Sequence, residues 1–254
     1  MGAARSACLV AVAAVILGAC AESADGDGSS FPGTAATEPP TSDAADDRDR
    51  AADEATAREA VLTLDDFPPG WDEDPPEPES DDDDVSASLA ECLGIDEAEL
   101  DRDNPSANSP TFTSPTGQEV DVRVTLTAAP GEARRTMEIM SDDAVPGCLS
   151  DSMQSLIAQN LLAEDAPDGL EVGDPTVDTT SFEGLGDESL TFRVTVPYGY
   201  RGAESAIYLD STFVRVGRAG VTAVFLSDGS PFDTDEAERL VQVVVDRVEE
   251  ADAG

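Results

Sequence analysis

From Glu119 to Thr127 apolar and polar residues alternate strictly, with Val120, Val122, Val124 and Leu126 on one side and Glu119, Asp121, Arg123, Thr125 and Thr127 on the other. A period of two over this length predicts a half-buried strand. The period then changes. After Pro130, Ala133, Met137 and Met140 recur at helical spacing, and a second helix is expected from about Ser150 to Ala163, with Met153, Leu156, Ile157 and Leu161 inward and Cys148 just ahead of it. Upstream, Ser88-Leu89-Ala90-Glu91 has capping-box spacing and Gly94 supplies a stop, which predicts a short helix carrying Cys92.

Downstream the pattern is a meander. Leu190, Phe192, Val194 and Val196 alternate with Ser189, Thr191, Arg193 and Thr195, and the segment Pro197 to Gly202 forms the tip before a strand over about 205–216. Gly217-Arg218-Ala219-Gly220 predicts a tight turn into a strand over 221–227, and 170–180 contributes a further strand. Ala237, Leu240, Val241, Val244, Val245 and Val248 make one apolar helical face, which Asp233 caps with Glu236 three residues on. The fold class expected is α+β: a mainly antiparallel sheet of about five strands, helices packed on one face, and one disulfide.

The N-terminal third has a different texture. One arginine, an apolar run from Ala7 to Leu17, and then Leu17-Gly18-Ala19-Cys20 resemble a bacterial lipoprotein signal ending in a lipobox. The run is shorter than the ~20 residues of a membrane-spanning helix, so it is read as a cleaved signal, 1–19, with Cys20 as the lipid acceptor. Cleavage after Ala19 and free secretion is the alternative. Residues 20–51, rich in Ala, Asp, Ser, Thr, Gly and Pro, are expected to be a disordered acidic tether that cannot bury enough surface to order itself. Residues 52–84 are read as a short helix, about Ala52 to Leu62, followed by an acidic proline-rich arm, and 85–254 as the α+β domain.

Charge narrows the function. The formal net charge is −41, there is no histidine, and all 14 basic residues are arginine. Such a field repels nucleic acid and anionic headgroups. The acids are densest between Ala21 and Asp84, where 22 face 3 arginines. A solvated, self-repelling chain explains them more simply than diffuse divalent-cation binding or adaptation to high salt; the Asp81 to Asp84 run lacks the glycine and spaced carboxylates of a calcium loop.

Without histidine or lysine there is no Ser-His-Asp or Cys-His triad, histidine metal site, Ser-Lys dyad, Schiff base or Walker lysine. Of the four cysteines, Cys8 falls in the signal and Cys20 is the acceptor, which leaves Cys92 and Cys148 to pair in an oxidising exterior. Gly184-Leu185-Gly186 lacks the third glycine of a dinucleotide fingerprint. Paired carboxylates of glycosidase type are available, but among 55 acids proximity says little. The chain is therefore read as a non-enzyme with no cofactor and no metal.

Two places stand out as candidate contact surface. Tyr198 and Tyr200 with Arg201 match the composition of binding hot spots, against which stands a hairpin whose tyrosines fold back on the sheet edge. Trp71, the only tryptophan, is either a stacking residue or, with Phe67, a pin holding the arm on the core.

Asp66-Phe67-Pro68-Pro69-Gly70-Trp71, Cys92-Leu93-Gly94, Ser109-Pro110-Thr111-Phe112, Gly147-Cys148-Leu149, Phe182-Glu183-Gly184 with Gly186-Asp187, and Asp210 through Gly217-Arg218-Ala219 together resemble an uncharacterised family of actinobacterial lipoproteins. The element order is also similar to LpqN-type mycobacterial lipoproteins and to the extracellular sensor domain of a mycobacterial serine/threonine kinase. That resemblance implies an extracytoplasmic binding or sensing module, anchored to the membrane through its N-terminal lipid, with an unknown small molecule, lipid or envelope protein as partner. It brings no catalytic residues. With one body cysteine pair and no kinase, the chain departs from the kinase sensor. The competing expectation is a protein-interaction accessory subunit of a cell-envelope complex.

Overall fold

The structure, a computed structural model, describes residues 43–75, 85–100, 102–157 and 169–252. The signal, Cys20, most of the tether, the Asp81 to Asp84 run and the end of the helix expected to reach Ala163 lie outside the described residues.

Alternation of apolar side chains builds a nine-stranded antiparallel sheet. Its long centre is β4 (Glu119–Leu126), β9 (Ala219–Asp228), β8 (Ala203–Val216) and β7 (Glu188–Tyr200), neighbours in that order. Short strands flank it. β3 (Thr111–Thr113) and β2 (Ser106–Asn108) share the outer edge of β4, and β1 (Asp72–Asp74) extends the sheet beyond β3. At the other edge β6 (Thr176–Thr180) and β5 (Leu170–Val172) divide β7. The class, the antiparallel pairing and the disulfide agree with expectation, but the strands number nine rather than about five. The extra ones are three to five residues long and too short to show a period.

Helices cover both faces of the sheet, where the sequence pattern suggested one. On the first, α5 (Thr234–Asp252) and α1 (Asp43–Ala60) bury Leu240, Val241, Val244, Ala57 and Ala60 against Val120, Val122, Val124, Val221, Ala223 and Phe225. Each fully buried leucine or valine contributes roughly 1.5–3 kcal/mol. As expected, Asp233 caps α5, accepting the Glu236 N–H at 3.0 Å. On the second face lie α2 (Val85–Leu93), α3 (Pro130–Met140) and α4 (Val145–Leu156), whose Leu89, Met140, Cys148 and Met153 face Phe192, Val194, Leu209 and Val224. Both faces of β9 are thus apolar, so Val221, Ala223 and Phe225 serve one layer and Val224 and Leu226 the other.

Besides the helix expected from Ser150, which begins at Val145 and contains Cys148, three sequence expectations move. α1 begins at Asp43 rather than near Ala52, so residues 43–51, assigned to the tether, are helical. Polar spacing hid it: the helix is held by its last turn in the core and by Asp53, which receives Arg218 Nη1 at 2.8 Å. The stretch after α1 is likewise no free arm. Asp72 to Asp74 pair with β3, and Asp66 takes Arg247 Nη2 at 2.7 Å. Burial raises the Asp66 pKa, but the bonds from Arg247 and Thr63 outweigh it and hold the carboxyl below its ordinary value. Third, Ser88 lies inside α2 instead of capping it, and its hydroxyl meets that of Ser152 at 3.0 Å. No helix among the described residues is long and apolar enough to cross a membrane.

The Ser109-Pro110 pair has a backbone cause. Proline cannot donate to the ladder, and the buried Ser109 hydroxyl accepts the Val122 N–H at 2.9 Å while donating to the Pro110 carbonyl at 2.8 Å. Gly184 and Gly186, with φ of 82° and 57°, form a bend that drops Leu185 into the core and aims Asp187 at Arg215.

Candidate functional site: a cavity beneath the helices

The sheet face under α3 and α4 is not filled. A cavity of about 250 Å³ lies between it and the helices. Its floor follows from strand register. Arg215 of β8, Gly220 of β9 and Thr125 of β4 form one row across the sheet; Phe213, Thr222 and Arg123 form the next. Further along lie Ser211 and Leu209 of β8, flanked on β7 by Phe192 and Val194. The floor is therefore polar toward β4 and apolar toward β7. The roof is apolar: Leu89 from α2, Met137 and Met140 from α3, and Leu149, Met153 and Leu156 from α4. Every methionine of the chain after Met1 lines this space. Unbranched and polarizable, methionine adapts to irregular apolar ligands.

Charge in the cavity runs opposite to that of the chain. Acids outnumber arginines about four to one overall. Among the described lining residues there are three arginines, Arg102, Arg123 and Arg215, and no aspartate or glutamate. Arg215 is almost wholly buried. Its Nε reaches Glu188 at 3.0 Å and its Nη1 reaches Asp187 at 2.8 Å, both half-exposed acids outside the cavity. The bond from Glu188 and the charge of Asp187 keep its pKa above the ordinary arginine value against the cost of burial. Arg123 Nη2 donates to Ser106 at 3.1 Å, and Arg102 stands 3.6 Å from Glu132. Hydroxyls of Thr125, Thr127, Thr136, Ser152, Ser211 and Thr222 supply the remaining polar lining with Asn104.

Beside the floor, Asp121 occupies the same face of β4 between Glu119 and Arg123 and opposite Val224. It is buried, and its Oδ1 meets no hydrogen-bond partner among the described residues. Burial pushes its pKa up to about 8, with the charge of Glu119 adding to the shift.

The residues singled out from sequence fall elsewhere. Cys92 and Cys148 are bonded, Cα to Cα 5.8 Å, and tie α2 to α4 over the cavity. Trp71 is half-buried, its ring 4.6 Å from Phe67 and 6.5 Å from Phe232, at the β1 edge. Tyr198 and Tyr200 lie at the opposite edge, still within β7, paired with β5. The turn itself is only Arg201-Gly202, both at positive φ (53° and 82°), and the Arg201 guanidinium sits 4.9 Å from the Tyr200 ring centre. Tyr198 donates to Asp228 at 2.7 Å. Trp71 and the tyrosine tip thus stand at opposite ends of the sheet and do not form one surface. The cavity arginines went unmarked in the sequence because single arginines scattered over 113 positions, from Arg102 to Arg215, carry no spacing. The one available signal was the methionines, all on two consecutive amphipathic helices.

No family model matches the chain, and no curated protein does. Among solved structures it is similar to the extracellular domain of PknH from Mycobacterium tuberculosis, at 11% identity and a TM-score of 0.39 over 78% of this chain and 96% of that one. A protein of unknown function from Pseudomonas aeruginosa, PA94, described as a putative regulator, overlaps 54% of this chain and 76% of its own at 12% identity and a TM-score of 0.20. At these scores neither architecture nor function carries across.

Proposed function

We propose that this chain is an extracytoplasmic binding or sensing module, lipid-anchored through Cys20, that holds a small molecule in the cavity beneath α3 and α4 and performs no chemistry on it. The observation that carries this reading is the cavity itself: a native core of this size is ordinarily packed shut, whereas here about 250 Å³ stays open between the sheet and three helices. That volume falls just short of the roughly 300–1,000 Å³ of pockets that bury drug-sized ligands, which points to a smaller occupant. The described lining offers apolar contact, hydroxyls and guanidiniums but no carboxylate, thiol or imidazole to serve as a base. A structural disulfide fits an oxidising compartment outside the cytoplasm.

Native mass spectrometry of the secreted protein, before and after organic extraction, tests the reading. A stoichiometric mass that extraction removes is the expected result. A clean mass both times, together with no small-molecule uptake by the extracted protein, would reject it in favour of an accessory subunit working through its surface.

A further inference from the structure

Resting on the binding reading above, we propose that the cavity takes an amphiphile with a single anionic head, a carboxylate or a phosphate, and a short apolar tail. The inversion of charge is the first ground. A surface drawn at random from this chain is rich in acids, yet the described lining carries three arginines and no acid. Guanidiniums lining a cleft favour an anion, and their fork geometry matches carboxylate and phosphate oxygens.

The second ground is where the space lies. A Cβ added at Gly220 would meet no atom within 4 Å, so the strand there is bare floor, with Thr125 on one side and Arg215 on the other. Arg215 spends Nε and Nη1 on Glu188, Asp187 and the Gly217 carbonyl, which leaves Nη2 without a partner among the described residues. Asp187 and Glu188 thus orient the guanidinium from outside, in the lining row that Arg215 shares with Gly220. The head belongs at this end, within the reach of Arg123, whose strand neighbour is Thr222.

The third ground is the opposite end. Phe192, Val194 and Leu209 on the floor and Met140, Met153 and Leu156 on the roof present no charge. The open volume of about 250 Å³ lies just under the roughly 300–1,000 Å³ of pockets that bury drug-sized ligands, so the occupant is small. A short acyl or alkyl acid fits; a two-chain lipid does not.

Titration calorimetry on the extracted full chain with octanoate, octyl phosphate, octanol and octyltrimethylammonium tests this. Either acid is expected to bind at least about tenfold more tightly than octanol, the tightening typical of a hydrogen bond to a charged group, and the ammonium not to bind. The stronger of the two acids then decides between carboxylate and phosphate. Arg123→Gln should remove most of that preference. Gly220→Val, at a position where an added Cβ meets no atom within 4 Å, should abolish all binding. Octanol binding as tightly as both acids would overturn the anionic head and leave the cavity standing. Binding that survives Gly220→Val, or no binding of any probe, would overturn the cavity as the site and the binding reading with it. The wild-type series needs no variant to fold, and melting curves establish that each variant does.

Discussion

Replacing Asp121 by asparagine is expected to flatten the pH dependence of stability across near-neutral pH. The carboxyl titrates at its ordinary value of 3.8 in the unfolded chain and at about 8 in the folded one, because burial beside Glu119 disfavours its charge. Between those values the folded state holds a proton that the unfolded state has released. Stability therefore falls as pH rises through this window and levels off above about pH 8. At about 1.36 kcal/mol per pH unit, the loss between about pH 5 and pH 8 is on the order of 4 kcal/mol. The chain makes this unusually legible, since without histidine no other side chain ordinarily titrates there. Asparagine keeps the shape and removes the ionisation. Urea unfolding at pH 5, 6, 7 and 8, disulfide intact, should show a wild-type midpoint that drops steadily and a variant midpoint that barely moves. Parallel curves for the two proteins would refute the assignment of a buried, proton-bearing carboxyl at this position.

Other expectations follow from particular contacts. Replacing Cys92 and Cys148 by alanine opens a loop with a separation of 56 residues and should cost about 4 kcal/mol, read from the urea midpoint. Arg247→Gln strands the largely buried Asp66 and should cost about 2 kcal/mol near neutral pH. Because Asp66 titrates below its ordinary value in the folded state, that penalty is present above the ordinary carboxylate range and fades as acid protonates Asp66, which unfolding at about pH 7 and pH 3 would reveal. Leu240→Ala, at the centre of the α5 face and fully buried, should cost about 3 kcal/mol in the same assay. Gly186→Ala places a Cβ 2.6 Å from the Arg215 carbonyl at a positive φ and should lower the melting temperature, whereas Gly217→Ala, at a similar φ of 59°, is predicted to cost about 1 kcal/mol for backbone strain.

Much of the fold is local and was therefore legible. The alternation in β4, β7 and β8, the valine-rich face of α5 and its Asp233 cap each repeat with a period that local backbone geometry imposes. The disulfide followed from counting: after the signal and the acceptor, two cysteines remained. The exclusion of histidine and lysine chemistry needed only the composition.

What the tertiary structure decided is whatever depends on elements distant in sequence. α1 is too polar to declare itself; it is held by Arg218, 165 residues away. β1, β2 and β3 exist because β4 offers an open edge, not because three residues prefer to be extended. An apolar strand face looks the same whether it meets a packed helix or lines a void, so no periodicity distinguishes Ala223, which packs under α5, from Leu209, which faces the cavity. Nor does spacing announce that Arg102, Arg123 and Arg215 share one cavity whose described lining holds no acid. Their meeting is a product of strand register across β4, β9 and β8, set by the whole sheet at once.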